Sequence, residues 1–358
     1  MEKQYKKCFL AANSCEGFIS HFADSYSIKD GWYAVIIKGG AGSGKSSLMR
    51  YMASYAESRG LSVELCPCSS DPKSLDAVII PQIKLVFLDG TNPHAVEPQY
   101  AGVCEEIVNS GDFWNTEKLL KSREQIITLT DQNKKLQRAV SGYMKAAHSL
   151  FSHNLKLAQG FTNIQKAENC AAKLANRYIP INKKTRGKED IRFLTGITPE
   201  GIVSYPKTVT SFYENIIVVS DKYWSASSAI MKRIRDIALL RGVDIVTVKN
   251  PFLPSQIIDH ILIPSLSVAF VTEYDFIHFE TNARRIHSRR FYDISALKEV
   301  RNKLLFNKRM INELLLVACE NSKNAKFVHD CIEKYYVDAM NFKALSELAP
   351  KIAKKYIG

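Results

Sequence analysis

The chain has 358 residues, 46% hydrophobic and 24% charged, with a formal net charge of +13 and a pI near 9.2. This length suits two domains of average size, and no apolar run reaches the roughly 18 residues of a membrane-spanning helix, so a helical membrane span is excluded. The basic balance favours polyanionic partners such as nucleic acid, acidic lipid or phosphorylated substrates, although a solvated basic surface gives the same charge.

From the amino end, Met1 to Lys7 is charged and polar with no apolar stretch behind it long enough for a secretory signal, which predicts a cytoplasmic protein. Eight cysteines are scattered without CxxC spacing, so reduced thiols are expected. The close pair Cys66 and Cys68 around Pro67 reads as packing, with metal or redox chemistry as the alternative. Apolar β-rich runs at Ala34–Ile37, Leu61–Leu65 and Leu85–Leu88 read as buried strands, with a helix over Lys45–Arg59. That order predicts a βαβ unit in a parallel sheet flanked by helices.

Between the first strand and the helix stands Gly39-Gly40-Ala41-Gly42-Ser43-Gly44-Lys45-Ser46, which satisfies the pattern G-x-x-x-x-G-K-S/T in its strand–turn–helix context. Glycines let the backbone bend so that successive N–H groups and the helix N-terminus face an anion. Lys45 is then placed to neutralise the β- and γ-phosphates and the Ser46 hydroxyl to hold magnesium, with Ser47 completing the cofactor-binding set. Leu85–Leu88 followed by Asp89 has the form of a Walker B strand, its acid reaching magnesium directly or through water. The competing role for Asp89 is that of a turn former at a strand end.

These motifs resemble the P-loop NTPase superfamily. Together with the segments ANSCEG (Ala12–Gly17), TPEG (Thr198–Gly201) and DGTNPH (Asp89–His94), they make the whole chain similar to a group of bacterial ATPases with two tandem P-loop domains. The resemblance implies nucleotide binding and little about substrate. Hydrolytic members often carry Glu directly after the Walker B acid; here that residue is Gly90, which argues against fast water activation. No N/T-K-x-D guanine-reading motif and no LSGGQ-like segment is present, so ATP with Mg2+ is the expected ligand pair.

Asp71, in Ser69-Ser70-Asp71-Pro72, stands where P-loop kinases often place an acid against the acceptor hydroxyl, which makes it a candidate base beside Lys45 and Asp89. The same tetrapeptide is also turn and cap chemistry. His94 follows Asp89 closely enough to approach a γ-phosphate, or to be a locally bonded loop histidine. From Thr116 to Tyr178 proline is absent and glycines are few, which predicts two or three long helices. Their stripe Leu136, Val140, Tyr143, Ala147 is expected to pack the repeats together.

The second half retraces the first. Phe9, Leu10, Glu16 and Gly17 recur as Phe193, Leu194, Glu200 and Gly201 at a spacing of 184, Arg59-Gly60 as Arg241-Gly242 at 182, and Phe113, Arg123 and Asn163 as Phe291, Arg301 and Asn341 at 178. A collinear series of this kind predicts a tandem duplication, with repeats over residues 1–183 and 184–358 joined by the polar segment Pro180–Asp190. In the second repeat Gly39 becomes Asp221 and Lys45 becomes Ser227, while the Asp89 position falls in Val271–Glu273. A carboxylate in place of a phosphate-facing glycine makes this a pseudo-site. Its basic cluster Arg284, Arg285, His287, Arg289, Arg290 offers an arginine finger, a clamp for a phosphorylated substrate or nucleic acid, or plain surface charge.

The expected protein is a slow Mg-dependent ATPase with one live and one pseudo-catalytic repeat. A nucleotide or small-metabolite kinase using Asp71, and a nucleic-acid-associated ATPase, are the alternatives.

Overall fold

The computed structural model describes residues 5–92, 95–182 and 185–358. The first repeat runs through β1 (Lys6–Lys7), β2 (Ala11–Ser14), β3 (Gly17–Ser20), β4 (Tyr33–Lys38), α1 (Lys45–Ser58), β5 (Glu64–Pro67), β6 (Leu75–Ile80), β7 (Leu85–Asp89) and β8 (Glu105–Asn109). Three helices follow, α2 (Thr116–Lys121), α3 (Arg123–Gln159) and α4 (Ile164–Tyr178). The second repeat has β9 (Glu189–Arg192), β10 (Thr195–Thr198), β11 (Gly201–Ser204), α5 (Lys207–Thr210), β12 (Asn215–Ser220), α6 (Ser225–Leu240), β13 (Ile245–Lys249), β14 (Ile258–Ile263), β15 (Val268–Glu273) and β16 (Arg284–His287). It closes with α7 (Ile294–Glu299), α8 (Arg301–Ala339) and α9 (Phe342–Tyr356).

The described residues form two six-stranded sheets, β1-β5-β6-β7-β4-β8 and β9-β13-β14-β15-β12-β16, and two hairpins, β2-β3 and β10-β11. The two sheets correspond strand for strand, as a duplication requires. They are mixed, which corrects the expectation of a parallel sheet: β4 is parallel to β7 and β8, whereas β6 is antiparallel to both β5 and β7. The missed strand, β6, follows β5 after a short loop, and a parallel return needs a crossover of a dozen residues or more. The strand expected from Leu61 begins only at Glu64.

Alternation along the strands divides the interior. Ala77, Ile79, Val86 and Leu88 face a core shared by both repeats, while Val78, Ile80, Leu85 and Phe87 face α1, the two-residue period of a sheet covered on both sides. Phe9 and Phe193, equivalent in the two repeats, exchange backbone hydrogen bonds of 2.8 and 2.9 Å, so the pseudo-two-fold axis passes between them.

The terminal helices are exchanged. Ala349, Ile352 and Ala353 of α9 pack with Leu48, Met49 and Met52 of α1 in the first repeat, and Ala167, Ala171 and Leu174 of α4 pack with Ile230, Met231 and Ile234 of α6 in the second. The 37-residue α3, about 55 Å long at 1.5 Å per residue, carries the chain across. It runs antiparallel to α8, as the bonds Asn133 Nδ2 to Ala325 O (2.7 Å) and Asn307 Nδ2 to Asn154 Oδ1 (2.8 Å) fix at two heights. Its buried stripe is Val140, Met144, Ala147, Phe151 and Leu155; Tyr143, expected in the stripe, is 38% exposed and Met144 takes its place. The Pro180–Asp190 segment is pinned to the second repeat by Asn182 N–H to Arg241 O and Gly187 N–H to Leu239 O, and its end joins β9.

Candidate functional site

The loop after β4 turns into α1 with Gly39, Gly42 and Gly44 at φ of 145°, 65° and 82°, values that L side chains adopt at a cost. A side chain on Gly39 would also overlap the Ser110 hydroxyl, which bonds to Ser43 Oγ and Lys38 O, both at 2.8 Å, and so ties the loop to the end of β8. No side chain caps α1 and no acid stands in its first turn, leaving its N–H groups and positive dipole end available to an anion. The Lys45 ammonium donates to Gly39 O (3.0 Å) and Gly40 O (2.8 Å) and lies 3.7 Å from Asp89 Oδ2. The structure thus brings Lys45 and Asp89 together, with Ser46 Oγ accepting from Leu75 N–H at 3.0 Å. Ala41 lies within the turn, and Ser47, in the first turn of α1, makes no side-chain hydrogen bond among the described residues.

Asp89 ends β7, where its Oδ1 accepts from Thr91 N–H (2.9 Å) and Thr91 Oγ1 (2.5 Å); Oδ2 is the oxygen facing Lys45. The next residue is glycine for a steric reason, since a Cβ on Gly90 would overlap Ile36 Cγ2 of the neighbouring strand. Asp71 is engaged as a turn residue: Oδ2 accepts from Ser74 Oγ at 2.8 Å and lies 3.6 Å from Lys326 Nζ on α8. His94 lies outside the described residues.

One acid escaped the sequence reading. Asp76 on β6 follows directly from the Ala77–Leu88 pairing, opposite Asp89, and is buried. Burial first, and the Asp89 charge second, push its carboxyl up to about 8. An interior acid in a six-residue apolar strand was the available signal, and the repeat supplies another: Asp259 holds the same place on β14. There burial pushes the carboxyl up to about 7, while Asn250 Nδ2 (3.0 Å) and Tyr274 OH (2.7 Å) donate to it.

The first repeat's loop is covered by the other repeat. Positions built as Cβ on Gly40, Gly42 and Gly44 would lie 2.9 Å from the Tyr336 ring, 3.0 Å from Glu333 O and Val337 Cγ2, and 2.6 Å from Leu345 Cδ2. The corner between α8 and α9 therefore rests on the glycine face of the loop.

In the second repeat Asp221 replaces Gly39, and its carboxylate is used rather than repelled. Oδ2 accepts from Ser227 N–H at 2.9 Å, and Oδ1 from Tyr223 N–H at 3.2 Å and Tyr292 OH at 2.8 Å. The helix N-terminus that would meet a phosphate is filled by the protein's own anion. Trp224 takes the left-handed turn, φ 57°, at the position of Gly42.

The basic cluster belongs to this second site. Arg284, Arg285 and His287 lie on β16, with Arg285 held by Glu273 and by Phe279 O, and Arg290 stacks over Phe291, 5.6 Å from its centroid. Helix α8 touches the cleft beside Arg289 through the Lys308–Asp275 ion pair at 2.7 Å and meets the Lys45 loop at its far end, through Glu333, Tyr336 and Val337. At 1.5 Å per residue those points are about 40 Å apart, so no arginine of the cluster reaches a phosphate held by Lys45; the arginine-finger expectation fails on distance.

Cys66 is buried, and the half-buried Cys68 hydrogen-bonds the Asp76 carboxyl. Cys66 Sγ lies 3.5 Å from Cys8 Sγ, and among the described residues no group of three or more His, Cys, Asp or Glu is arranged to hold a metal. No described helix is long and apolar enough to cross a membrane. Comparison with protein-family models, with curated proteins and with solved structures finds no match to this chain.

Proposed function

We propose that this protein binds ATP with magnesium at Gly39–Ser46 and hydrolyses it slowly to ADP and phosphate, the second repeat serving as a pseudo-site. The observation that carries the reading is the uncapped start of α1, with Lys45 and Asp89 meeting beside it at 3.7 Å. The residues fit the ligand: backbone N–H groups and Lys45 suit the phosphates, and Ser46 and Asp89 supply oxygen donors of the kind magnesium takes alongside substrate phosphates. Magnesium would supply charge neutralisation at the β- and γ-oxygens.

Slow turnover follows from Gly90, where Ile36 leaves no room for the acid that would orient water. Engagement of Asp71 by Ser74 and Lys326 favours hydrolysis over transfer to an acceptor. Because the α8–α9 corner lies on the loop's glycines, seating a triphosphate competes with that contact, and nucleotide state is passed to the long helix pair.

The test is Lys45→Ala, with a fluorescent ATP analogue titrated into the folded variant and phosphate release followed in parallel. Loss of the charge-assisted contacts should weaken binding on the order of a hundredfold, with unchanged circular dichroism. Unaltered affinity in a folded variant removes the assignment.

A further inference from the structure

We propose that the second repeat holds a ligand site of its own, for a small phosphate monoester with a planar, largely apolar body such as a nucleoside monophosphate, in the cleft at the carboxyl ends of β12, β15 and β16. The last residues of those strands, Ser220, Glu273 and His287, all line one cleft of about 450 Å³. β12 is parallel to both β15 and β16, and the crevice beyond the carboxyl ends of parallel strands is where open α/β sheets take ligands. The volume lies in the range of small-molecule sites, about 300–1,000 Å³.

The walls supply an apolar slot. Tyr223 and Tyr292 meet edge to face, with centroids 6.2 Å apart and planes at 89°, and Tyr274, Ile294 and Leu297 extend the surface. Aromatic rings set this way offer faces and edges to a planar group.

The charges select an anion. Each acid in the wall is already matched: Glu273 by Arg285, Asp275 by Lys308 at 2.7 Å, and Asp221 by two backbone N–H groups and Tyr292 OH. Lys222, His287 and Arg289 line the same cleft, and among the described residues none of their side chains makes a hydrogen bond or ion pair. With Glu273 and Asp275 neutralised by Arg285 and Lys308, the Lys222 and Arg289 charges outweigh that of Asp221 by one, a positive excess in a concave site, which concentrates anions. Asp221 occupies the start of α6, so the phosphate would be held by side chains, and the two cations Lys222 and Arg289 suit the charge of about −1.5 to −2 on a monoester at pH 7. This site does not depend on ATP binding at Lys45.

The experiment is a calorimetric titration of the full chain with AMP, and with adenosine, inorganic phosphate and a short single-stranded oligonucleotide as separate arms. AMP should bind one to one, with adenosine and phosphate each weaker by about tenfold or more, since each keeps only one half of the contacts. The double variant Lys222→Ala, Arg289→Ala, both exposed positions, should lose at least about tenfold in AMP affinity with unchanged circular dichroism, while Lys45→Ala binds AMP as the parent does. No AMP binding at millimolar concentration, binding lost in Lys45→Ala but kept in the double variant, or phosphate binding as tight as AMP would each overturn the proposal. So would displacement of AMP by the oligonucleotide with a steep salt dependence, which would make the cleft part of a nucleic-acid surface.

Discussion

The loops that follow β4 and β12 begin from the same strand and end on the same kind of helix, yet they treat the exposed N–H groups of that helix in opposite ways. After β4, three glycines in left-handed geometry hold the backbone open, the helix start has no cap, and Lys45 waits on the carbonyls of Gly39 and Gly40. After β12, the helix begins earlier in the aligned positions and Asp221 closes onto Ser227 N–H. Where Gly39 leaves the start of α1 open, Asp221 brings a carboxylate to the start of α6 and supplies an acceptor for Ser227 N–H. Alongside it the ends of β12, β15 and β16 converge on one cleft.

The widest test of this pairing of repeats concerns the exchanged helices. Deleting Phe342–Gly358 removes Leu345, Ala349, Ile352 and Ala353 from the core beside α1; at about 1.5–3 kcal/mol per large apolar side chain the loss is on the order of 5 kcal/mol. Amide exchange should show protection falling in β4, β7 and α1 while β12 and β15 keep theirs. Loss confined to the second repeat would contradict the exchange.

A second prediction sharpens the contrast between Asp76 and Asp259 and concerns pH. Burial pushes Asp259 up to about 7, from an ordinary value of 3.8, so the folded state binds its proton more tightly than the unfolded chain does. The stability it contributes is complete below about pH 4 and is lost as pH rises through about 7. Relative to Asp259→Asn, the parent should therefore lose up to about 4 kcal/mol across that interval, at 1.36 kcal/mol per pKa unit. His260 runs the other way, since burial holds its imidazole down at about 3, so its contribution falls as pH drops below about 6.5. Denaturant midpoints of parent and variant at several pH values isolate the Asp259 part as a difference. A pH-independent difference would mean that Asp259 stays ionised behind Asn250 and Tyr274.

The smallest effect is expected at Asp221. Replacing it with alanine leaves Ser227 N–H and Tyr292 OH without their acceptor, costing about 1–3 kcal/mol, readable as a lowered Tm. It should create no second ATP site, because the lysine position is Ser227, so calorimetry should still return one ATP in the loop of the first repeat. A second triphosphate bound at Ser225–Ser228 would show that the carboxylate alone had closed the site.

Much of this was legible in the chain itself. The duplication, the turn from β4 into α1, Asp89 at the end of its strand and the loss of lysine at Ser227 are local or periodic features, and glycine, lysine and apolar alternation carry their meaning within a few residues. Asp71 shows where the sequence stayed ambiguous, since one Ser-Ser-Asp-Pro segment serves as turn or as catalytic acid until Ser74 and Lys326 engage its Oδ2. The mixed sheet depended on β6, whose buried Asp76 disguised a strand, and the exchange of α4 and α9 on apolar faces that would fit either α1 or α6. By itself, then, the sequence determined the repeats, the loop and its candidate ligands. Only the tertiary structure decided that the α8–α9 corner covers that loop, that Asp221 fills its counterpart, and that the cleft beside Arg289 and the Lys45 loop meet α8 at points about 40 Å apart along it, because those facts depend on which distant surfaces meet along a 39-residue helix.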